Sequence, residues 1–157
     1  MHRDAFIARY GGIYEHSPWV AETAFDGASD LEAGALAELF AACVDNAPHA
    51  RKLALIRAHP DLAGRAAIAG ELTNQSTDEQ QSARLDQCSA EEFAQFQRLN
   101  ACYKEKFRFP FVMAVRNSHR SDILAAFEAR LANDPQTEFE TAITEIHKIA
   151  RLRLEAS

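Results

Sequence analysis

The feature that most constrains the fold is a stripe of large side chains at helical spacing that recurs along the chain. In the segment SAEEFAQFQRLNACYKEKF these positions return every three or four residues, which places them on one face of a helix. Ser89 followed three residues later by Glu92 is a capping-box start for that helix. The members of this stripe are Phe93, Phe96, Asn100, Tyr103 and Phe107.

Further segments carry the same signal, most with a cap-type residue near their start. DLEAGALAELFAACVDNA offers Asp30 as the N-cap, and SDILAAFEARLAN offers Ser121. HSPWVAETAF offers Ser17, with Pro18 at the first helical position, where its missing N–H is not needed. The predicted stripes are Leu36, Leu39, Phe40, Cys43 and Val44; Ile123, Leu124, Phe127 and Leu131; and, in EFETAITEIHKIARLRL, Phe139, Ile143, Ile146 and Ile149.

Two segments interrupt the helical pattern. In LIRAHPDLAGRAA a proline follows His59, and proline disfavours the α region for the residue before it, so His59 is predicted at a helix end. The second segment, FRFPFVMAVRNS, is predicted to be an extended, buried connection, because a solvated loop would not be so apolar. With no linker or repeat, the chain is predicted to be one all-α domain over residues 1–157, a compact helical bundle with a short irregular segment between helices.

Composition excludes some classes of function. The 157 residues carry a formal net charge of -6, which argues against nucleic acid as a partner but allows a locally basic pocket for an anionic ligand. Cys43, Cys88 and Cys102 fit neither a disulfide framework nor a metal knuckle, so they are expected to be reduced thiols in a cytoplasmic protein. No apolar run is long enough for a signal peptide or a membrane span, so no membrane partner is expected.

A few polar residues are candidates for catalysis or for binding a metal or an anion. The six histidines show no metal-binding spacing. His59 is either an ordinary residue at a helix end or a chemical group that leans into a cleft. Ser76 and Glu79, in STDEQ, form a capping-box match, and the same helix start could bind an anion. Arg153, near the end of the last helix, could pair with a carboxylate in bidentate fashion.

The motifs YEHSPWV, LIRAHPDLAG, LTNQSTDEQ, LNACYKEKFRFPFVMAVR, RLAN before Pro135, and EIHKIARLRL follow one another in a single chain. Together they strongly resemble the 2-oxo-4-hydroxy-4-carboxy-5-ureidoimidazoline (OHCU) decarboxylases, enzymes of urate breakdown. The resemblance runs over nearly the whole chain. It implies a compact all-helical fold, usually a homodimer, with no metal or organic cofactor.

The same resemblance implies a set of site residues. His59 and Glu79 match the family's catalytic residues, and Arg153 matches an arginine of its pocket, with Arg116 as a weaker alternative. Arg84 stands where the family usually has a glycine. If that glycine serves only helix packing, little changes; if it allows close approach to the substrate, Arg84 narrows the pocket. The remaining residues implied to bind substrate are Pro60, Ser76, Thr77, Asp78, Gln80, Phe111, Val112, Met113, Ala114 and Val115.

The implied reaction is loss of carbon dioxide from OHCU to give (S)-allantoin. His59 would exchange a proton with the substrate, and Glu79 beside it would favour the charged imidazolium. Arg153 and backbone donors near Ser76 would hold the substrate carboxylate. Two alternatives remain open, an inactive helical interaction module of the same family and a metal-dependent hydrolase that uses His59 with other histidines.

Overall fold

The computed structural model describes residues 1–28, 31–64 and 70–157. This part of the chain contains eight α-helices and no strand, which confirms the predicted all-α class. Two short 3₁₀-helices, Phe25–Gly27 and Leu85–Gln87, follow the second and fifth helices. None of the described helices combines the length and the apolar character that crossing a membrane would require. The helices are α1 (Arg3–Tyr10), α2 (Trp19–Ala24), α3 (Ala33–Asp45), α4 (His49–Arg57), α5 (Asn74–Ser82), α6 (Ala90–Phe107), α7 (Arg120–Leu131) and α8 (Pro135–Ala156).

The chain is organised as two compact units. Unit 1 comprises Met1–His59 and Ile143–Ser157, and unit 2 comprises Pro60–Ala142. The long helix α8 therefore contributes its first turns to unit 2 and the remainder to unit 1. That these units form one domain over residues 1–157 stays a prediction.

Unit 1 is built around an aromatic cluster on α1 and α3. The Phe6 ring contacts the rings of Tyr10, Phe25 and Phe40, with centroid distances of 4.8, 5.4 and 6.2 Å. Helix α2 packs on both α1 and α3. Of the stripe predicted for α3, Leu36, Phe40 and Val44 are buried, whereas Leu39 and Cys43 are half-buried. Asp30, the predicted N-cap, lies outside the described residues, and Glu32 occupies the N-cap position.

Unit 2 is built around the predicted stripe of α6. The capping box is present, since Ser89 Oγ accepts from the Glu92 N–H at 3.1 Å and the Ser89 N–H donates to Glu92 Oε1 at 3.0 Å. The Tyr103 ring is fully buried at the centre of the unit. It contacts the rings of Phe107, Phe109, Phe111 and Phe127.

The helix caps predicted for α2 and α7 are wrong. The Ser17 hydroxyl donates to the Glu15 carbonyl at 2.8 Å, and Pro18 takes the N-cap position of α2 without a side-chain hydrogen bond. At the start of α7, His119 Nδ1 accepts from the Ser121 N–H at 3.1 Å, so His119 is the cap and Ser121 lies inside the helix. The actual N-cap lies one residue after the expected one in α2 and two residues before it in α7.

The segment between α6 and α7 is irregular and largely buried, as predicted. Phe109, Phe111, Val112 and Val115 are all buried. A segment without a helix or a strand ladder needs other partners for its backbone groups. Arg130 of α7 supplies one, since its Nη1 donates to the Val112 carbonyl at 2.6 Å and its guanidinium lies 4.3 Å from the Phe111 ring centroid.

A buried carboxylate, Glu138, holds this part of unit 2 together. Its side chain is completely buried, and Oε1 accepts from the Tyr103 hydroxyl and from Arg130 Nε, each at 2.5 Å. Oε2 accepts from Asn133 Nδ2 at 3.0 Å. Burial, together with the hydrogen bond to Glu138, raises the pKa of Tyr103, which keeps the phenol protonated as a donor. Both oxygens of the buried charge therefore have partners.

Arg84 adopts a backbone conformation that explains why a glycine would suit its position. Its φ is +58° and its ψ is 32°, in the left-handed region, between α5 and the 3₁₀-helix Leu85–Gln87. A side chain with a Cβ costs roughly 1 kcal/mol or more there, whereas glycine has no such penalty. The requirement is conformational, which is neither of the two explanations that the sequence suggested.

We expect Glu138→Ala to lower the free energy of unfolding by roughly 3–5 kcal/mol, because it leaves the Arg130 guanidinium buried without its counter-charge. Glu128→Ala is the matched control. Glu128 pairs with Arg98 at 3.3 Å, but their side chains are 60% and 58% exposed, so its loss should cost less than about 1 kcal/mol. Urea denaturation measures both variants. Equal losses would contradict the role assigned to Glu138.

Arg84→Gly should raise the free energy of unfolding by roughly 0.5–1 kcal/mol, because it removes the strain of a positive φ. The contact that Arg84 makes through its carbonyl, which accepts from Arg120 Nη1 at 3.1 Å, remains in the variant. The control is Arg98→Gly, an exposed position inside α6, where glycine should destabilise by about 1 kcal/mol. Thermal unfolding should give opposite signs for the two substitutions, and a shared sign would refute the interpretation.

Candidate active site

His59 follows Ala58, the C-cap of α4, at the helix end that the sequence predicted. Its ring is buried, with 8% of the residue exposed, and its Nδ1 lies 3.0 Å from the Leu55 carbonyl oxygen. A carbonyl oxygen only accepts hydrogen bonds, so Nδ1 carries the hydrogen. In the neutral ring Nε2 is then the nitrogen with the lone pair.

Burial dominates the electrostatics of this histidine. It lowers the pKa of His59 to about 4, although the hydrogen bond to Leu55 and the Glu15 carboxylate both act to raise it. The nearby charges of Arg153 and His16 act to lower it. The imidazole is therefore neutral near pH 7, and the carboxylate that acts on it is Glu15. Loss of hydration outweighs this carboxylate. The expected effect of Glu79 on its charge stays a prediction.

Arg153 forms a buried ion pair with Glu15 in the same unit. Both side chains are 2% exposed, and Arg153 Nη2 lies 3.5 Å from Glu15 Oε2. Arg153 Nη1 also donates to the Gly12 carbonyl at 3.1 Å and to the Ile13 carbonyl at 3.5 Å. Sequence reasoning singled out Arg153 but missed Glu15, whose signal was its place inside the YEHSPWV motif.

The segment that carries Glu15 is tied down by a second set of polar contacts. The Tyr14 hydroxyl lies 2.8 Å from His147 Nδ1, and His147 Nε2 lies 2.9 Å from Asp45 Oδ1. Burial is the main cause that raises the pKa of Tyr14, so its phenol donates to Nδ1 while Nε2–H donates to the carboxylate. The segment between α1 and α2 is thus anchored to α3 and α8.

The predicted residues of STDEQ lie on α5, in unit 2. Ser76 is not the cap, because α5 begins at Asn74 and Thr73 Oγ1 accepts from the Ser76 N–H at 3.2 Å. The Thr77 N–H donates to the Thr73 carbonyl at 2.9 Å. The capping-box prediction for Ser76 is therefore wrong, and the N–H groups of Ser76 and Thr77 both donate to Thr73. Of this group Ser76, Glu79 and Gln80 are buried, Thr77 is half-buried and Asp78 is exposed.

The turn that follows His59 in the chain, residues 60–64, is held mainly by amide side chains. Both ends of the Gln80 amide contact it, since Oε1 accepts from the Ala63 N–H at 3.0 Å and Nε2 donates to the Asp61 carbonyl at 3.2 Å. Ala63 itself has a φ of +51°, a conformation that an alanine seldom adopts unaided. The other contacts are Asn100 Nδ2 to the Leu62 carbonyl, Gln97 Nε2 to the Ala63 carbonyl, and Lys104 Nζ to Asp61 Oδ2.

The predicted substrate wall, Phe111 to Val115, is anchored in the core of unit 2. The Phe111 ring stacks on Phe127 with centroids 3.9 Å apart, while Met113 and Ala114 are half-buried. Elsewhere in unit 2, Thr77 and Gln80 line a cavity of 530 Å³. The cavity is completed by Ala63, Leu72, Gln81, Leu85, Asp86, Cys88, Ser89, Ala90 and Phe93.

The predicted site residues divide between the two units. Unit 1 holds His59 and Arg153, which the structure brings together with Glu15. Unit 2 holds Pro60, the residues on α5, the wall segment and Arg116. The pairing of Glu79 with His59 stays a prediction, as does the binding of substrate by the residues of unit 2.

Comparison with known proteins identifies the family. The family model described as OHCU decarboxylase matches residues 1–155. The chain belongs to the OHCU decarboxylase family. It is 45% identical over 151 residues to the 2-oxo-4-hydroxy-4-carboxy-5-ureidoimidazoline decarboxylase of Haloferax volcanii, covering 96% of this chain and 88% of that protein.

Two further relatives extend this result. A uric acid degradation bifunctional protein of Bacillus sp. (strain TB-90) is 38% identical and is matched over 99% of this chain and 30% of its own length. The crystal structure of an (S)-allantoin synthase matches with a TM-score of 0.79 and 32% identity, covering 99% of this chain and 50% of that one. The OHCU decarboxylase fold is therefore present over nearly the whole chain.

The low pKa of His59 predicts a pH-dependent stability. Below pH 6.5 an unfolded histidine binds a proton that the folded one excludes down to about pH 4, so folding loses stability as the pH falls through this window. We expect the contribution of His59 to make the free energy of unfolding about 2 kcal/mol lower at pH 5 than at pH 7.5. Urea titrations of the wild type and of His59→Gln at both pH values measure this difference. Identical pH dependence of the two proteins would contradict it.

Proposed function

We propose that this protein decarboxylates OHCU to (S)-allantoin in urate degradation. The observation that carries the proposal is a buried, neutral imidazole with one lone-pair nitrogen, close to a buried arginine, in a chain of the OHCU decarboxylase family. Relatives named as OHCU decarboxylase, uric acid degradation protein and (S)-allantoin synthase support the same reaction.

The substrate supplies its own electron sink. One ring carbon bears both the carboxylate and a hydroxyl, and it adjoins a C=N bond. When the bond to the carboxylate breaks, its electron pair forms a C=C bond within the ring, and the C=N π pair moves to nitrogen, which takes up a proton. Carbon dioxide leaves and an enol remains. The reaction as proposed therefore needs no organic cofactor.

His59 is suited to the proton transfers that complete the reaction. In the neutral ring Nε2 is the basic atom, so it accepts the hydroxyl proton of the enol while the oxygen becomes a carbonyl. The neighbouring ring carbon takes up a proton, and delivery from the resulting imidazolium on one face would give a single enantiomer. The hydrogen bond from Nδ1 to Leu55 fixes the ring orientation for both steps.

The remaining residues of the site are proposed to bind and orient the substrate or His59. We assign recognition of the substrate carboxylate to Arg153, whose guanidinium is already desolvated and fixed by backbone carbonyls. Glu79, buried on α5, is proposed as the partner of His59, and the wall segment is proposed to enclose the ring. From the resemblance to the family we propose a homodimer, and from the three free thiols we propose a cytoplasmic location.

The proposal is tested in a coupled reaction. Urate oxidase and hydroxyisourate hydrolase generate the unstable substrate from urate, and this protein is then added. Circular dichroism should report rapid appearance of the (S) enantiomer of allantoin. Racemic allantoin at the rate of the uncatalysed control would refute the function and favour an inactive interaction module.

His59→Gln should lower kcat by about 10²–10⁴-fold, the usual range for loss of a general acid–base group. Glu79→Gln should also lose activity if Glu79 is the partner of His59. His2→Gln is the control, because His2 is exposed before α1. Retention of wild-type kcat by His59→Gln, with the fold verified by circular dichroism, would rule out its assigned role.

A further inference from the structure

We infer that Glu15 is a positioning residue of the site, which orients the Arg153 guanidinium and balances its charge beside His59. The inference deepens the proposed function and rests on it. Neither the sequence motifs assigned to chemistry nor the named relatives single out Glu15 for such a role.

The Glu15 carboxylate contacts the Arg153 guanidinium directly. The two side chains are each 2% exposed, so water does not compete for their 3.5 Å contact. The same segment contributes the Gly12 and Ile13 carbonyls, which accept from Nη1, while Glu15 Oε2 faces Nη2. Three groups within four residues therefore fix the plane of one guanidinium, and a fixed plane is what bidentate recognition of a carboxylate requires.

The segment that carries Glu15 is itself held in place. The Ser17 hydroxyl donates to the Glu15 carbonyl at 2.8 Å, and Tyr14 is bonded to His147 on α8. Arg153 lies on the same helix, α8. The carboxylate and the guanidinium are thus attached to elements that are already joined nearby, which limits relative movement of the pair.

The Glu15 carboxylate also contributes to the electrostatic environment of His59. The charged and titratable groups acting on the ring are Glu15, Arg153 and His16, together with the hydrogen bond to Leu55. The Glu15 carboxylate acts to raise the pKa of His59 and the Arg153 guanidinium to lower it. When a substrate carboxylate pairs with Arg153, the negative charge of Glu15 remains to stabilise the imidazolium that forms during proton transfer.

Charge and hydrogen bonding can be separated by two substitutions. Glu15→Gln keeps an oxygen that can accept from Arg153 but removes the charge. We therefore expect kcat to fall about tenfold or more, since a change of one unit in the pKa of His59 is a factor of ten. KM should stay within about threefold of the wild-type value. Glu15→Ala removes the acceptor as well and should also raise KM. Glu155→Gln is the control, because Glu155 pairs with Arg151 on α8 with both side chains more than half exposed.

A measurement that does not depend on turnover tests the charge balance. Nitrogen-15 NMR titration of His59 is carried out in Arg153→Gln and in the double variant Glu15→Gln/Arg153→Gln. Arg153→Gln removes a positive charge that lowers the pKa of His59, so that pKa should rise by about one unit or more. The second substitution removes the Glu15 charge and should reverse the rise. The double variant keeps a neutral pair in the buried position, so it remains informative if Glu15→Gln alone does not fold.

The outcomes separate this inference from the function on which it rests. A wild type that produces no (S)-allantoin above the uncatalysed control overturns the proposed function. An active wild type, with Glu15→Gln at wild-type kcat and the same pKa of His59 in the single and double variants, overturns the role of Glu15 alone. Loss of kcat together with the reversed pKa supports it.

Discussion

A charge removed from water must have a partner, and this requirement organises both units. Among the described residues, each unit contains a carboxylate that is buried against a guanidinium, Glu15 with Arg153 in unit 1 and Glu138 with Arg130 in unit 2. In both, the arginine comes from a helix and also donates to a backbone carbonyl of a non-helical segment. Such a pair contributes little net stability when complete but is costly to break, so it specifies where the segment lies.

The parts of the fold that could be predicted from the sequence are those encoded locally. The stripe from Phe96 to Phe107 has helical spacing, and the reciprocal bonds of Ser89 and Glu92 need only a four-residue motif. The place of His59 at a helix end follows from the proline after it. The irregular, buried course of FRFPFVMAVRNS follows from its proline and its unbroken apolar run. All of these depend on neighbours within a few residues.

The features that sequence reasoning missed depend on competition or on distant partners. Thr73, not the predicted Ser76, is the N-cap of α5. Both side chains carry a hydroxyl, and periodicity does not distinguish two such residues three positions apart. Glu15 and Arg153 are far apart in sequence, so nothing local reveals their ion pair. The neutral state of His59 follows from burial, which outweighs a neighbouring carboxylate and is a property of the folded chain.

The amide contacts around residues 60–64 have a consequence for the order of folding. Their donors and acceptors stand 17, 34 and 38 positions away, in Gln80, Gln97 and Asn100. Closing loops of that length costs chain entropy before any bond compensates it, and Ala63 does not favour its own dihedral angles. The turn after the histidine therefore forms only once α5 and α6 have come together. A substitution of Gln80, Gln97 or Asn100 can therefore alter the backbone that follows His59 without changing the histidine itself.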